Sequence, residues 1–347
     1  YSDLNLETVN AFVISDSYYD MSKSNIDGFA DSVDIIQTYK KKNDAASGPD
    51  IDVTKDTFTV YLSGLDNMGS PDQQTRSDTN LILIVNPKAN HIDMVSLPRD
   101  GYIPNAAYDY KNDKLTHTGN DGIENSVETI QNFFGIPIDY YARVSFNSLI
   151  EIVDTIGGID VDVEIDFCEQ DENRSFKKED LICLKKGKQH LNGKQALAYS
   201  RHRKTKGYDN AGRERAQQRI IKAIINKLIS ANGLTKVNDL MDIAPNYIIT
   251  NMPAEKIADF VSGELNELKP WTISSITSDN GVYEDLYVAS LDPSLGVSNV
   301  YLFSRDEVHA VVNAYDAARR QLQMNSFTFN LNDLYANTPK INTSENI

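Results

Sequence analysis

Residues 57–65 read TFTVYLSGL, residues 79–85 read TNLILIV and residues 91–97 read HIDMVSL, and these three runs decide the fold. Each is rich in β-branched and aromatic residues and has strand length. Asn86-Pro-Lys-Ala-Asn90 carries turn residues between the second and third runs, so those two form a hairpin. If the first run also pairs antiparallel with the second, its end lies beside the start of the second and the end of the third. Charged residues flank all three ends: Asp66 after the first run, Arg76 and Asp78 before the second, Arg99 and Asp100 after the third. Strand order alone therefore predicts that these five collect at one edge of one sheet. The bland alternative is a set of surface ion pairs, each worth about 0–1 kcal/mol. Arrival from three separate segments weighs against it.

Working outward, residues 126–134 have helical spacing (Val127, Ile130, Phe134), and residues 140–145 read as a strand. Residues 146–156 read as a helix stopped by Gly157-Gly158, and residues 159–165 alternate like another strand. The clearest helix is 213–230, with an apolar stripe of Ile220, Ile221, Ile224, Ile225 and Leu228. Ser304 and Glu307 have capping-box spacing before a last helix. Strands and helices mixed without a strict βαβ repeat predict a layered α/β or α+β domain, with a central mixed, largely antiparallel sheet. Residues 1–55 are polar and weakly periodic and read as a small accessory segment with a linker. Residues 56–325 read as the main domain and residues 326–347, rich in Asn, as a flexible tail.

The formal net charge is -16, which disfavours a nucleic-acid partner. Yet five of the 12 arginines fall between Arg201 and Arg219, and such a cluster in an acidic chain points to a small anionic ligand. In Tyr199-Ser-Arg-His-Arg203, read as extended, Tyr199, Arg201 and Arg203 share one face and Ser200 and His202 the other. Two guanidiniums on one face repel unless an anion sits between them, and arginine grips phosphate oxygens bidentately. On the long helix, Arg213 and Gln217 fall on the isoleucine stripe, while Arg215 and Arg219 fall opposite. A charged group on an inward stripe needs a partner or a ligand. Arginines and carboxylates in one pocket suit a pyrophosphate held partly by Mg²⁺, with Mn²⁺ as substitute. Asp66 and Asp78 would ligate the ion, and Asp66, Asp78 and Arg99 are the candidate catalytic residues. Cys168 and Cys183, with 14 residues between them, read equally as buried thiols or as a disulfide of an oxidising compartment. No apolar run reaches the roughly 18 residues of a membrane span, and Tyr1 opens no signal-peptide pattern.

Several of these segments, taken in order, resemble one family. They are Ser63-Gly-Leu-Asp66, Arg76-Ser-Asp-Thr79, Val85-Asn-Pro87, Ser96-Leu-Pro-Arg-Asp100 and Asp113-Lys-Leu-Thr-His-Thr-Gly119. Gly157-Gly-Ile159, Leu191-Asn-Gly-Lys-Gln-Ala-Leu-Ala-Tyr-Ser-Arg-His-Arg203 and Arg213-x-x-x-Gln217 continue the series. They look like successive motifs of LytR-CpsA-Psr proteins, with wording closest to the streptococcal capsule-associated, CpsA-like branch. The resemblance implies a sheet flanked by helices and an apolar tunnel holding a polyprenyl chain, with its phosphate or pyrophosphate at an arginine-lined mouth. It implies transfer of a lipid-linked glycopolymer, capsular polysaccharide or teichoic acid, to peptidoglycan. It also implies an N-terminal membrane anchor upstream of Tyr1 and an extracellular catalytic domain. The phosphate-binding positions match Arg76, Arg99, Arg201, Arg203, Arg213 and Gln217, and the metal-linked ones Asp66 and Asp78. Ala216 interrupts a second Arg-Gln pair that some members carry, so Arg215 is not carried over. Apolar strand positions such as Leu81, Leu83 and Val85 read first as core. Two other functions fit the same residues: a pyrophosphatase of polyprenyl-linked intermediates, and a non-enzymatic scaffold that binds anionic lipid.

Overall fold

The computed structural model describes residues 48–320, apart from residues 176, 209, 231–235 and 268–269. The three opening runs are strands β1 (Phe58–Leu65), β2 (Ser77–Asn86) and β3 (His91–Leu97). The β2–β3 link is a short 3-10 turn, Pro87–Ala89, capped by the Asn86 side chain. A small hairpin of β4 (Tyr102–Asn105) and β5 (Lys111–Lys114) follows, then helix α1 (Ile123–Phe134). Strand β6 (Tyr140–Val144) leads into α2 (Phe146–Thr155), whose start is closed by a Ser145/Ser148 capping box. Next come β7 (Ile159–Val163), the hairpin of β8 (Phe167–Glu169) and β9 (Ile182–Leu184), and β10 (Gly187–Leu191), which pairs back onto β7. Helices α3 (Gly193–Arg201), α4 (Asn210–Leu228) and α5 (Val237–Tyr247) come next. The chain then makes β11 (Ile249–Thr250), α6 (Ala254–Glu267), β12 (Thr272–Thr277), the hairpin β13 (Val282–Leu286) with β14 (Ser298–Leu302), and α7 (Arg305–Arg320).

The central sheet runs β11-β6-β1-β2-β3-β12. Strands β1, β2 and β3 pair antiparallel as the sequence predicts, whereas β6 joins β1 and β12 joins β3 in parallel. Both faces are covered, which is why residues 81–85 form an unbroken buried run instead of alternating. On one face Tyr61, Ile82, Ile84, Val95 and Leu97 pack with α1 and α7. The other face carries Phe58, Leu81, Leu83, Ile92 and Met94, with Ile221, Ile225, Phe260 and Trp271 laid against it. A third cluster joins α2, β7, α3 and α4. The last helix begins at the predicted box: Ser304 N donates to Glu307 Oε2 at 2.7 Å, and Glu307 N donates to Ser304 Oγ at 3.3 Å.

Three readings change. Of residues 199–203, read as extended, Tyr199, Ser200 and Arg201 instead close a helix that begins at Gly193. Asn192 caps the first turn and Gln195 returns the bond to the Asn192 backbone, while Ala196, Leu197 and Tyr199 drive the helix into the third cluster. Residues 48–55, read as the end of the accessory segment and linker, pack onto the main domain: Val53 is 1% exposed, and Gly48 N donates to Asn251 O at 2.7 Å. The rest of the accessory segment, and the tail from 326, lie outside the described residues. Cys168 and Cys183 face each other across β8 and β9 and are disulfide-bonded.

Candidate functional site

Between the sheet and α4 lies a cavity of about 480 Å³. Its length is apolar. Leu62, Leu81, Leu83, Ala142 and Val144 line it from the sheet, and Leu149 and Ile152 from α2. The α4 stripe of Ile220, Ile221, Ile224, Ile225 and Leu228 forms the opposite wall. Apolar surface left unpacked forfeits the dispersion contacts that a filled core would make, so such a cavity suits an apolar ligand.

Its mouth is charged. The chain ends of β1, β2 and β3 deliver Asp66, Asp78 and Arg99, joined by Arg201, Arg203, Arg213 and Gln217. Asp78 Oδ1 accepts from Arg99 Nη1 at 2.8 Å and from Thr116 Oγ1 at 3.0 Å. Arg213 opens the inward face of α4, is 9% exposed, and has a buried Nε with no partner. Burial, then the Arg99 charge, disfavours its charged form, and Asp78 partly compensates. Arg201 ends α3 with a buried Nη1 that also lacks a partner, and its guanidinium stacks over the Phe146 ring at 5.5 Å. Gln217 Nε2 donates to Ser200 O at 3.4 Å. The Asp66 carboxyl is held above the usual aspartate range, first by desolvation and next by the facing Asp78, with Arg174 and Arg201 opposing. Guanidiniums with unfilled donors suit an anion, and the two facing carboxylates stand beside them.

Of the five charges that strand order collects at one edge, three reach this mouth. Asp100 turns instead to Lys114 Nζ at 3.0 Å. Arg76 is exposed and does not line the cavity. The β1–β2 pairing shifts register between Gly64 and Leu65, and β2 begins only at Ser77, so Arg76 belongs to the preceding loop. Tyr199 is buried in the third cluster, stacked on Phe167 at 5.7 Å, and is no part of the site. The division between Arg201 and Arg203 on one side and His202 on the other survives the change to helix. His202 is buried against Glu169, Nδ1 to Oε2 at 3.0 Å, and stacks on Phe167. Arg215 and Arg219 point away from the cavity and pair with Glu164 at 3.1 and 3.6 Å.

The sequence reading missed Arg143, Thr116 as a contact, and Arg174. Arg143 is 2% exposed and its Nη2 donates to Thr75 O at 2.8 Å and Gly119 O at 3.0 Å, tying two loops beside the mouth. A Cβ on Gly119 would lie 2.6 Å from Thr75 O and 2.7 Å from Ser77 N, so only glycine lets the loop carrying Thr116 press onto the start of β2. Thr116 and Gly119 lie within a quoted motif; Arg174 lies in a segment matching none.

A family model described as the LytR_cpsA_psr family matches residues 21–294. This chain belongs to that family. The polyisoprenyl-teichoic acid–peptidoglycan teichoic acid transferase TagV of Bacillus subtilis is 31% identical over 268 residues, 74% of this chain and 62% of that protein. The chain thus spans less than two thirds of that relative. The polyisoprenyl-teichoic acid–peptidoglycan teichoic acid transferase TagU of Bacillus subtilis is 34% identical over 66% of this chain and 72% of its own length. The crystal structure of Bacillus subtilis TagV superposes with a TM-score of 0.62 at 28% identity, covering 76% of this chain and 97% of that one. The LytR_cpsA_psr match begins upstream of residue 56, where sequence placed the domain boundary.

Proposed function

We propose that this chain is a glycopolymer–peptidoglycan phosphotransferase. It takes a polyprenyl-pyrophosphate-linked glycopolymer, capsular polysaccharide or teichoic acid, and joins it to peptidoglycan. The observation that carries the reading is one cavity with an apolar length and a mouth of arginines around two carboxylates. A polyprenyl tail suits the isoleucine wall. Its pyrophosphate suits Arg99, Arg201, Arg203, Arg213 and Gln217. The names of the relatives agree with this chemistry.

Asp66 and Asp78 fit a divalent cation, because both line the mouth and their charges oppose each other there, on top of the burial that is the first cause of the raised Asp66 carboxyl, and a positive charge between them would relieve that repulsion. No cluster of three or more acidic, His or Cys ligands exists among the described residues. Two carboxylates, with phosphate oxygens and water completing the shell, suit Mg²⁺, or Mn²⁺ in its place. Such an ion would neutralise charge on the pyrophosphate oxygens. In the transfer itself, a peptidoglycan hydroxyl oxygen attacks the phosphorus nearest the sugar. The bond from that phosphorus to the bridging oxygen breaks, polyprenyl phosphate leaves with the electron pair, and the hydroxyl proton passes to a carboxylate or to water. Arg99, Arg201 and Arg213 stabilise the charge growing on the leaving phosphate.

The reaction belongs at the outer face of the cell membrane, where lipid-linked polymer meets wall. The Cys168–Cys183 disulfide agrees with an oxidising compartment. No described helix is long and apolar enough to cross a membrane, so attachment rests on the anchor that the family resemblance implies.

Purified protein, labelled lipid-linked polymer and peptidoglycan sacculi test the reading directly. Label is expected to enter the sacculi with one polyprenyl phosphate released per polymer, and chelation of divalent ions is expected to stop it. Equal phosphate release without sacculi identifies a pyrophosphatase instead. Binding without either reaction identifies a lipid-binding scaffold. Arg201→Ala is expected to weaken binding of geranylgeranyl pyrophosphate about thirtyfold, the loss of a charge-assisted contact worth about 2 kcal/mol. Arg215→Ala removes only a solvated ion pair and is expected to stay within about twofold. Calorimetric titration separates the two, and equal effects would contradict the helical-face argument.

A further inference from the structure

The residues from Phe167 to Leu184 form a disulfide-closed hairpin against the mouth, and no motif or role yet accounts for them. It is anchored on the arginine-bearing turn. Glu169 holds the buried His202 at 3.0 Å, and the carbonyl oxygens of Gln170 and Asp171 face Arg201 Nη2 at 3.5 and 3.3 Å. Its tip folds on itself: Gln170 Nε2 donates to Arg174 O at 2.8 Å, and Ser175 N donates to Asp171 Oδ1 at 2.8 Å. This places Arg174 at φ 57°, a left-handed conformation that an arginine adopts only when its surroundings impose it. From there its side chain enters the lining of the cavity, with Nη2 2.7 Å from Asp66 Oδ1.

We propose that Arg174 is a further substrate-binding residue, which rests on Asp66 until a divalent cation takes that carboxylate and then grips the outer phosphate of the pyrophosphate. Three observations carry this. Arg174 and Arg201 stand together: after burial, the Arg174 charge is the largest influence against the charged form of Arg201, whose buried Nη1 has no partner. Two neighbouring guanidiniums with an open donor want an anion between them. The Arg174–Asp66 pair is exposed on both sides, 57% and 47%, so it shifts an equilibrium by no more than about fivefold and exchanges readily. The arginines are also graded in depth. Arg213 is 9% exposed at the apolar end and the Arg99 side chain is 22% exposed, while Arg203 is exposed and the Arg174 side chain is 57% exposed, so these two lie at the outer end. The phosphate attached to the lipid therefore falls to the inner arginines, and the phosphate attached to the sugar falls to Arg174 together with Arg203.

This inference rests on the pyrophosphate reading of the mouth, and its test separates the two. Geranylgeranyl pyrophosphate and geranylgeranyl monophosphate are titrated calorimetrically with Mg²⁺ into the full chain and into its R174A, R174K and R201A variants. Mn²⁺ binding without lipid is followed by electron paramagnetic resonance. In R174A, pyrophosphate is expected to bind about tenfold more weakly and monophosphate within about twofold of the parent. Mn²⁺ alone is expected to bind about threefold more tightly, because its competitor for Asp66 is gone. R174K recovers part of the pyrophosphate loss, since an ammonium lacks the planar fork. A merely structural Arg174 moves all three affinities in one direction or none. R174A within twofold of the parent for pyrophosphate and Mn²⁺, while R201A loses binding, overturns the proposal and leaves the mouth reading intact. If R201A also binds unchanged, the mouth reading fails and this inference with it.

Discussion

Asp78→Ala is expected to lower the transfer rate about a thousandfold or more while the protein stays folded and still binds polyprenyl pyrophosphate. Asp78 joins three functions in one carboxylate. It holds Arg99 at 2.8 Å, accepts from Thr116 at 3.0 Å, and faces Asp66 across the proposed cation position. Alanine leaves Arg99 without its anchor and the cation with one carboxylate. It also takes a negative charge out of a pocket already crowded with arginines, so binding of an anionic substrate holds or tightens while turnover collapses. A loss confined to kcat marks an interaction made in the transition state. Asp78→Asn sharpens the reading, because its amide oxygen still accepts from Arg99 and Thr116 but carries no charge. Asparagine is expected to be nearly as inactive as alanine, with a melting temperature closer to the parent. An asparagine variant with parental turnover would make Asp78 a positioning residue only and remove the cation from the mechanism.

How far the sequence foretold this site follows from what kind of information each part needs. The convergence of Asp66, Asp78 and Arg99 needed only strand order, because turn residues between two β-rich runs force a hairpin, and the observed register bears that out. The same logic carries Arg76 along, whose exposed side chain lies in the loop before β2 and outside the cavity lining; the register shift at Gly64/Leu65 is a local irregularity that alternation does not encode. Helix α4 was legible as a stripe, and its inward Arg213 and Gln217 with it. Whether that stripe faces side chains or an empty channel was not, because isoleucine against a neighbour and isoleucine against a void read alike in sequence. Helix α3 carries a capping signal in Asn192 and Gln195, but the Arg-x-Arg alternation at its end reads as extended, so its last turn is the part the sequence conceals. Arg174 had no signal to offer. Its place depends on a disulfide-closed hairpin folding its tip back, a relation between residues 66 and 174 that no local pattern carries.

Arg213→Met is expected to move stability and binding in opposite directions. In the parent, the Arg213 guanidinium is largely withdrawn from water beside Arg99 and Arg203, with Asp78 and Glu214 as attractive charges and a buried Nε that bonds nothing. Such an arrangement costs the ligand-free fold, and a flexible apolar side chain of similar length removes that cost. Replacing strained buried charge by a well-packed apolar group typically stabilises by about 1–2 kcal/mol, or roughly 2–6 °C in a domain of this size. The same change deletes the innermost phosphate donor and is expected to weaken geranylgeranyl pyrophosphate about a hundredfold. Thermal melts with and without that ligand read both effects together. Saturating ligand raises the melting point of the parent through mass action, whereas Arg213→Met starts higher and gains little. If the variant melts lower without ligand, Arg213 is part of a structural ion pair, and the unsatisfied Nε was never held ready for phosphate. If it melts higher yet binds as the parent does, the phosphate lies elsewhere in the mouth. Only the crossed outcome fits a site that gives up stability in its empty state to be ready for a doubly charged group.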